Sequence, residues 1–353
     1  MANLRLAIIG YGMAGRSIHG KLAREAGFTV TVIVVRNSNR RHQASADWPG
    51  AKLVSDLEEL AALRDRFDLA IIASPTSAHA ENAAFLARAG IPFVVDKPLG
   101  VDAFEVKAIL AEAAKTKTPF TVFQNRRLDS EQLGLVEAIR SGVLGNIHTF
   151  ERKRERWQPI KGKQWRDEDV VGGGLLLDLH SHLVDAAIQL FGPPTKVTAY
   201  TRNLATAADD DDLLILEHSA GGGIAKSKFP VVSRLYAGSL VAAPGPRTRA
   251  LGDKAAFVVT NYEADYSAFD VHHGEGNSTK PGAWVVRGNE VDSFPLGASK
   301  HLDFYRALPA WLAGEEPAPV DPKDALRTAI VLDAARASSR EGRTMTITFD
   351  GFK

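Results

Sequence analysis

The segment that most constrains the fold is a glycine-rich loop near the start of the chain. Its residues, Gly10-Tyr11-Gly12-Met13-Ala14-Gly15, fit the pattern G-x-G-x-x-G, follow an apolar run at 4–10 and open a helical pattern at 17–26. In that context Gly10 permits a tight turn, Gly12 leaves room for a phosphate against the backbone, and Gly15 lets helix and strand pack closely. We therefore predict a dinucleotide-binding βα unit, with cofactor contacts from all six loop residues.

Strand-like and helical stretches alternate over about the first 125 residues. Apolar runs predict strands at 28–35, 69–73, 92–95 and 120–123, and apolar periodicity predicts helices at 56–66, 79–89 and 104–117. Such alternation is typical of a parallel sheet covered by helices on both faces. We assign residues 1–125 to an α/β Rossmann domain.

The pattern changes after residue 125. The sequence predicts a helix at 131–141, an embedded helix at 179–190, final helices at 301–313 and 322–339, and strands at 147–154, 196–202, 213–218, 223–229, 256–260 and 284–287. Successive strands of this kind indicate an antiparallel sheet in an α+β domain, to which we assign 126–353. The acidic run 209–212 is expected to form a solvated turn.

The composition excludes several classes of protein. Lys and Arg number 43 and Asp and Glu 42, so the formal net charge of +1 gives no reason to expect a nucleic-acid partner. The absence of cysteine excludes disulfides, thiolate chemistry and cysteine-ligated zinc. No apolar run approaches the roughly 20 residues of a membrane span, and the N-terminal residues lack a secretory pattern. We therefore expect a cytoplasmic protein with no membrane partner.

The end of the second predicted strand bears on the choice of cofactor. An NAD site usually has an acidic residue there, which accepts hydrogen bonds from ribose hydroxyls. This chain has no acid at that point, and arginine and serine side chains suit a ribose 2′-phosphate. An exposed basic helix start is the alternative. We favour NADP over NAD, with contacts from Arg36, Asn37, Ser38, Arg40 and Arg41.

Later motifs resemble those of the Gfo/Idh/MocA oxidoreductases, the family of glucose–fructose oxidoreductase and inositol dehydrogenases. They are Ser74-Pro75-Thr76 with His79, then Asp96-Lys97-Pro98, then Asp178 and His182. The resemblance covers essentially the whole chain and is strongest to the branch that holds NADP-dependent scyllo-inositol 2-dehydrogenase. It implies a Rossmann domain, then a domain with an open, mostly antiparallel sheet that binds substrate and forms dimers or tetramers. The last helices are expected to pack partly on the first domain.

The resemblance also implies which residues surround the cofactor. The sequence departs from the family pattern at two positions. Asp96 stands where the family usually has Glu, and one methylene less still lets it reach the same ribose or backbone partner. His180 stands where the branch usually has Gly, which places a bulky, titratable side chain beside the predicted catalytic helix. The implied cofactor contacts are Ser74, Pro75, Thr76, His79, Asp96, Lys97, Pro98, Gln124, Asn125, Trp165 and Arg166, with Arg126 also near the nicotinamide.

Three residues are the candidates for catalysis. Hydride transfer from an alcohol needs a group that takes the hydroxyl proton and a group that stabilises the developing alkoxide. Imidazole suits the first role and ammonium the second, so we assign them to His182 and Lys97. Asp178 precedes His182 by four residues and so shares its helix face, where it would orient the substrate. The alternatives are a helix N-cap for Asp178 and a buried structural histidine for His182.

A metal site is not expected. His180 and His182 form H-x-H, and His218, His272 and His273 lie elsewhere in the chain. On a helix, residues two apart point about 200° apart, so the first pair could not chelate one ion together.

Polar residues of the second domain fit a polyol or sugar substrate, although a charged rim on a solvated strand is the alternative. We interpret the chain as an NADP-dependent oxidoreductase that moves a hydride between nicotinamide and a hydroxyl or keto carbon of an inositol or sugar. A non-catalytic NADP(H)-binding sensor of the same fold and a keto-sugar reductase are the other hypotheses. The candidate substrate contacts are Lys97, Arg126, Arg154, Asp178, His182 and Tyr236.

Overall fold

The structure, a computed structural model, describes residues 4–159, 165–260 and 282–349. It contains two compact units. The first comprises Met1–Asn125 with Lys300–Ala329, and the second comprises Arg126–Ser299 with Ile330–Lys353. The segment Lys300–Ala329 was assigned to the second domain from the sequence, but it clusters with the first unit.

The first unit is a parallel α/β sheet with helical connections. Its strands are β1 (Arg5–Ile9), β2 (Thr29–Val34), β3 (Lys52–Val54), β4 (Leu69–Ile72), β5 (Phe93–Asp96) and β6 (Phe120–Phe123). Its first five helices are α1 (Lys21–Glu25), α2 (Ser38–Asp47), α3 (Leu57–Ala61), α4 (His79–Arg88) and α5 (Ala103–Thr116). The strand order β3-β2-β1-β4-β5-β6, with every described pair parallel, confirms the predicted Rossmann fold.

Burial explains why the sequence predicted every strand of this sheet except β3, and why it did not predict α2. All four residues of β4 are buried, as expected for a parallel strand covered on both faces. Helix α2 buries a single residue, Ala44, and therefore lacks the apolar periodicity from which helices are predicted. Its start is fixed instead by Asn37, whose side chain accepts from the Arg40 amide at 3.1 Å.

The second unit contains a nine-stranded mixed sheet. Its strands are β7 (Ile147–Glu155), β8 (Pro194–Arg202), β9 (Asp211–His218), β10 (Val231–Gly238), β11 (Thr248–Gly252), β12 (Ala256–Val259), β13 (Ala283–Arg287), β14 (Glu290–Phe294) and β15 (Met345–Thr346). The order is β14-β13-β12-β11-β7-β10-β9-β8-β15, and among the described residues of this sheet β7 and β10 are the one parallel pair. This confirms the mostly antiparallel sheet.

The second unit also contains the helices α6 (Ser130–Arg140), α7 (Trp165–Glu168) and α8 (Ser181–Phe191). Later in the chain, α9 (His301–Leu312) belongs to the first unit, and α10 (Pro322–Glu341) contributes residues to both units. In α8, ten of eleven residues are buried. No helix in the part of the chain that the structure describes is long and apolar enough to cross a membrane.

The prediction of a strand at 223–229 is wrong. This stretch is a turn whose Ala225 amide donates to the carbonyl of Leu190, in the last turn of α8, at 2.8 Å. A Cβ at Gly223 would collide with the backbone of Leu190, and this glycine has a φ of +59°. The glycines therefore serve close approach to a helix end, and the strand begins later, at Val231.

The solvated turn predicted at 209–212 is also wrong. Asp210, Asp211 and Asp212 are 1%, 6% and 0% exposed. Asp210 accepts from the amide of Leu204 at 2.7 Å, and Asp211 accepts from the guanidinium of Arg202 at 2.7 Å. The carboxylates of Asp210 and Asp211 are buried because backbone N–H groups and a cation replace their water.

Candidate functional site

The predicted cofactor residues of the first unit lie at one edge of its sheet. Each follows the carboxyl end of a strand, and in a parallel sheet these ends share an edge. The strand order reverses about β1 and β4, which is where such folds bind ligands. The segments at this edge are the glycine loop after β1, 36–41 after β2, 74–76 after β4, 96–98 at the end of β5, and Gln124 with Asn125 after β6.

The three glycines of the loop differ in what they accommodate. A Cβ at Gly10, whose φ is +92°, would lie 2.8 Å from the Ala73 carbonyl, and one at Gly15 would collide with the Gly10 carbonyl. Protein packing therefore requires both glycines. A Cβ at Gly12 would meet nothing closer than the Arg40 guanidinium, at 3.6 Å. The clearance at Gly12 fits a ligand phosphate rather than a protein neighbour.

The other loop residues are held in place around this clearance. The Tyr11 hydroxyl donates to Asp47 at 3.1 Å, and burial together with this carboxylate raises the pKa of Tyr11 to about 12. Arg16 donates to the same carboxylate at 2.6 Å. Met13 is 61% exposed, and Ala14 begins a π-helical turn, Ala14–Gly20, before α1. Such turns occur frequently at functional sites.

The arginines of the basic segment after β2 differ in their hydrogen-bond partners. Arg41 donates to the carbonyls of Val35 and Leu53, at 2.9 and 3.1 Å, so it ties the ends of β2 and β3 together. Arg36 donates through Nε to the Ser55 carbonyl at 2.9 Å. Arg40 extends over Gly12, and among the described residues its guanidinium forms no hydrogen bond or ion pair. Arg36 to Arg40, with Ser38 between them, are exposed.

His79 braces the loop after β4. It is 1% exposed, and its ring nitrogens lie 2.9 Å from the Ser74 carbonyl and 2.7 Å from the Pro98 carbonyl. Burial lowers the pKa of His79, while the two carbonyls and Asp96 oppose that shift. This imidazole therefore links the 74–76 loop to the 96–98 segment, where Pro75 is exposed and Thr76 buried.

Asp96 and Lys97 end β5 beside a buried histidine that the sequence analysis missed. The Lys97 amide donates to Asp96 Oδ1 at 2.9 Å, and Asp96 Oδ2 lies 3.7 Å from Nε2 of His19. Burial would raise the pKa of Asp96, but His19, Lys97 and His79 outweigh it and hold the pKa below its ordinary value. His19 follows Gly15 by four residues, which is a signal that could have found it.

The predicted catalytic residues of the second unit lie at the start of one long helix. A π-helical turn, Leu176–His180, carries Asp178 and continues directly into α8, which carries His182. The helix start is capped by Asp209, whose carboxylate accepts from the Leu176 amide at 2.6 Å. Asp178 is therefore not the N-cap of this helix. His182 is 8% exposed, and the side chain of Asp178 is 32% exposed.

Asp178 contacts a cation from α7. Nε of Arg166 lies 3.5 Å from Asp178 Oδ1, and the Arg166 guanidinium lies over the ring of Trp165, 4.6 Å from its centre. The structure thus brings together Trp165, Arg166 and Asp178, three predicted site residues from two separate segments. An arginine and a carboxylate that both remain partly exposed offer donors and acceptors to a polyol.

His180 points into the second unit instead. It is 0% exposed, with Nε2 3.3 Å from the carbonyl of Asp212, and burial lowers its pKa to about 4. Burial and the Asp209 carboxyl raise the pKa of Asp212 to about 10. Both groups are therefore neutral near pH 7, and His180 faces the interior of the second unit from the start of the helix that carries His182.

The remaining substrate and cofactor candidates have these surroundings. Arg126 donates to Asp129 at 3.0 Å, and the Tyr236 hydroxyl donates to Asp211 at 2.8 Å. Arg154 is 6% exposed on β7. Gln124 is 3% exposed, and its Oε1 has no hydrogen-bond partner among the described residues, while Asn125 begins a 3₁₀ turn.

Histidines do not gather at one point in the described chain. His218 donates through Nδ1 to the Gly192 carbonyl at 2.7 Å, and its Nε2 lies 3.0 Å from Ser233 Oγ, so it belongs to the core of the second unit. His272 and His273 lie outside the described residues. Within 4–159, 165–260 and 282–349, no group of three or more His, Asp or Glu side chains could hold a metal ion.

The fold and the glycine loop define a protein with a dinucleotide-binding α/β unit and a second α+β unit. Comparison with known families agrees. Residues 4–124 match the family model "Oxidoreductase family, NAD-binding Rossmann fold", and residues 136–347 match "Oxidoreductase family, C-terminal alpha/beta domain". The chain therefore belongs to the Gfo/Idh/MocA family of oxidoreductases, as its motifs indicated.

Individual relatives resemble the chain over nearly its full length. It is 26% identical to scyllo-inositol 2-dehydrogenase (NADP(+)) of Bacillus subtilis, over 98% of this chain and 96% of that protein. It is also 26% identical to inositol 2-dehydrogenase of Rhizobium meliloti, over 98% and 99%. A solved structure of the oxidoreductase yvaA from Bacillus subtilis superposes with a TM-score of 0.83 at 25% identity, over 98% and 99% of the two chains.

Proposed function

We propose that this chain transfers a hydride between NADP(H) and a hydroxyl or keto carbon of an inositol or sugar. The observation that carries the cofactor part is Arg40, which extends over the glycine loop with no partner among the described residues. The substrate part is supported by the two inositol dehydrogenases that the chain resembles and by the exposed polar pair of Arg166 and Asp178. We also propose a cytoplasmic homo-oligomer, a dimer or a tetramer.

The first unit would hold the cofactor as follows. The pyrophosphate would lie against Gly12 and the start of the following turn, whose N–H groups suit anions. Arg40, Ser38 and Arg36 would contact the ribose 2′-phosphate, because no acidic side chain stands at the end of β2 to repel it. Arg41 and His79 would act indirectly, since both bond to backbone carbonyls that shape this edge.

The cofactor proposal is tested by removing the positive charge of Arg40. Arg40→Ala should lower kcat/KM for NADP about tenfold or more, because a lost charge-assisted hydrogen bond costs about 1.5–3 kcal/mol. Use of NAD, which lacks the phosphate, should change little. Arg88→Ala removes an exposed arginine from the end of α4 and is the matched control. Equal losses with both cofactors would place Arg40 at the pyrophosphate or in the fold, and a wild-type preference for NAD would overturn the proposal.

The reaction assigns one role to each of three side chains. Bound NADP⁺ supplies the hydride acceptor. His182 accepts the proton of the reacting hydroxyl, and Lys97 donates a hydrogen bond to the same oxygen as negative charge develops on it. Asp178 accepts from a neighbouring hydroxyl and so fixes which carbon reacts. In the reverse direction His182 returns the proton to a keto substrate.

The catalytic proposal is tested on a panel of inositols, aldoses and their keto forms. His182→Ala and Lys97→Ala should each lower kcat about 10²–10⁴-fold, the usual contribution of general acid–base catalysis. His148→Ala and Lys107→Ala, exposed residues of β7 and α5, should leave kcat unchanged. If wild type binds NADPH but turns over nothing on the panel, the protein is a sensor. If the first two variants keep wild-type kcat, the assignment is wrong.

A further inference from the structure

Three ionisable side chains of the first unit lie in contact around the end of β5. The Tyr305 hydroxyl of α9 lies 2.6 Å from Nδ1 of His19, and Nε2 of the same ring lies 3.7 Å from Asp96 Oδ2. Tyr305 and His19 are both 0% exposed. Asp96 in turn accepts from the Lys97 amide at 2.9 Å. The three groups therefore form a continuous path from a distant helix to the proposed catalytic lysine.

The surroundings of this path are apolar. The His19 ring lies 4.8 Å from the ring of Phe123, and Phe123 contacts Phe304 and Tyr305 at ring distances of 4.9 and 5.9 Å. Tyr305 and His19 must bond to polar neighbours, because both are fully buried and water does not reach them. The path thus runs from two side chains among aromatic rings to Asp96, whose side chain is 17% exposed.

The geometry determines the direction of the hydrogen bonds. An imidazole lone pair facing a carboxylate would be repelled, so Nε2 carries the proton and faces Asp96. In the neutral ring Nδ1 is then an acceptor, and Tyr305 O–H donates to it. This arrangement gives the buried hydroxyl proton an acceptor, whereas an imidazolium would donate to Tyr305 and leave that proton without one.

We propose that Tyr305 and His19 are positioning residues, which fix the Asp96 carboxylate and through it the backbone at Lys97. The role rests on the proposed function of Lys97, because a fixed lysine matters when its ammonium must meet the reacting oxygen. At 3.7 Å the contact between Nε2 and Asp96 is electrostatic rather than a formed hydrogen bond. A short movement of the carboxylate toward His19 would therefore turn the strand end that carries Lys97.

Two substitutions at one position separate positioning from packing. In His19→Gln the amide nitrogen can occupy the place of Nε2 and present an N–H to Asp96 as the imidazole does, whereas in His19→Asn the amide is shorter and reaches the place of Nδ1. We expect His19→Asn to lower kcat about tenfold, a difference of about 1.4 kcal/mol in activation free energy, and His19→Gln to lower it less. The dissociation constant of NADPH, measured by fluorescence, should stay within about threefold in both variants, a difference below about 0.7 kcal/mol. Equal losses of kcat in the two variants would reduce His19 to a packing residue and overturn the proposal.

Tyr305→Phe tests the other end of the path with the smallest change in volume. Long-range ¹⁵N–¹H NMR of the imidazoles, with the His19→Gln spectrum identifying the signal, should show His19 as the Nε2–H tautomer in wild type. In Tyr305→Phe this preference should weaken, because Nδ1 loses its donor. An Nδ1–H tautomer in wild type, or a spectrum unchanged in Tyr305→Phe, would refute the path. This measurement needs no substrate, so a failure of the proposed function on the panel would leave its result intact.

Discussion

Glu131 sits at the centre of a buried ion cluster in the second unit. It is 2% exposed on α6 and accepts from Nε of Arg247 at 2.8 Å, while Nε of Arg152 lies 3.5 Å from its other oxygen. Thr248 also donates to this carboxylate. Burial would raise the pKa of Glu131, but the two arginines and Thr248 outweigh it and lower the pKa from 4.5 to about 2.

The difference in the pKa of Glu131 between the folded and unfolded states sets how much this carboxylate contributes to the free energy of unfolding. A carboxyl whose pKa falls from 4.5 to about 2 on folding contributes about 3 kcal/mol to stability at neutral pH. The contribution is complete above pH 4.5 and is lost as the pH falls toward about 2, because protonation removes the charge that the arginines stabilise. Glu131→Gln should therefore lower the free energy of unfolding by about 3 kcal/mol, within the range for breaking a buried ion pair.

Equilibrium urea unfolding, followed by circular dichroism from near neutral pH down to about pH 3, measures this effect. The gap between wild type and Glu131→Gln should be widest near pH 7 and should shrink below about pH 4. Glu137→Gln, an exposed position on the same helix, is the matched control and should change little. A gap that stays constant with pH would show that shape rather than charge sets the loss. A gap below about 1 kcal/mol at neutral pH would refute the reasoning outright.

Two further predictions concern places where the sequence misled. Gly223→Ala should destabilise the protein by at least about 2 kcal/mol more than Gly221→Ala in urea unfolding. Both glycines have positive φ, but a Cβ at Gly223 would collide with Leu190, while a Cβ at Gly221 would meet nothing within 4 Å. Equal losses of stability would show that backbone strain alone matters. Asp212→Asn should stabilise the protein at neutral pH, because the folded state holds this carboxyl protonated, with a pKa of about 10, while the unfolded state ionises it above 3.8. That advantage should vanish as the pH falls to about 4, and a variant less stable than wild type at every pH would contradict the neutral carboxyl.

Local patterns were sufficient to predict most of the parallel sheet of the first unit and several of its helices. The glycine loop, the apolar strands and the helix that ends at Gly90 each combine several signals within a few residues. Helix α2 and strand β3 were missed because α2 buries one residue and β3 is three residues long. Their positions depend on the neighbours that pack against them rather than on their own pattern.

Candidate site residues could be proposed from the sequence where they belong to short contiguous motifs. Lys97, Asp178 and His182 became candidates because each belongs to a short pattern, and the structure places these patterns at a strand end or a helix start. Tyr305 could not be found in this way, since its contact with His19 joins residues 286 positions apart. Arg40 and Arg41 looked equivalent in the sequence, and the structure separates them, because only Arg41 has strand-end carbonyls within reach among the described residues.

The acidic run at 209–212 was predicted to be solvated, and this prediction hid its structural role as a helix cap. Four consecutive aspartates are usually solvated, but here three are buried, and the first, Asp209, caps the helix that carries Asp178 and His182. Because Asp209 satisfies the Leu176 amide, Asp178 is released from capping and faces Arg166 instead. A carboxylate engaged by backbone N–H groups would have little capacity left for a substrate hydroxyl. The run therefore fixes the start of the helix that carries two candidate site residues, although none of its own side chains was a candidate for the site.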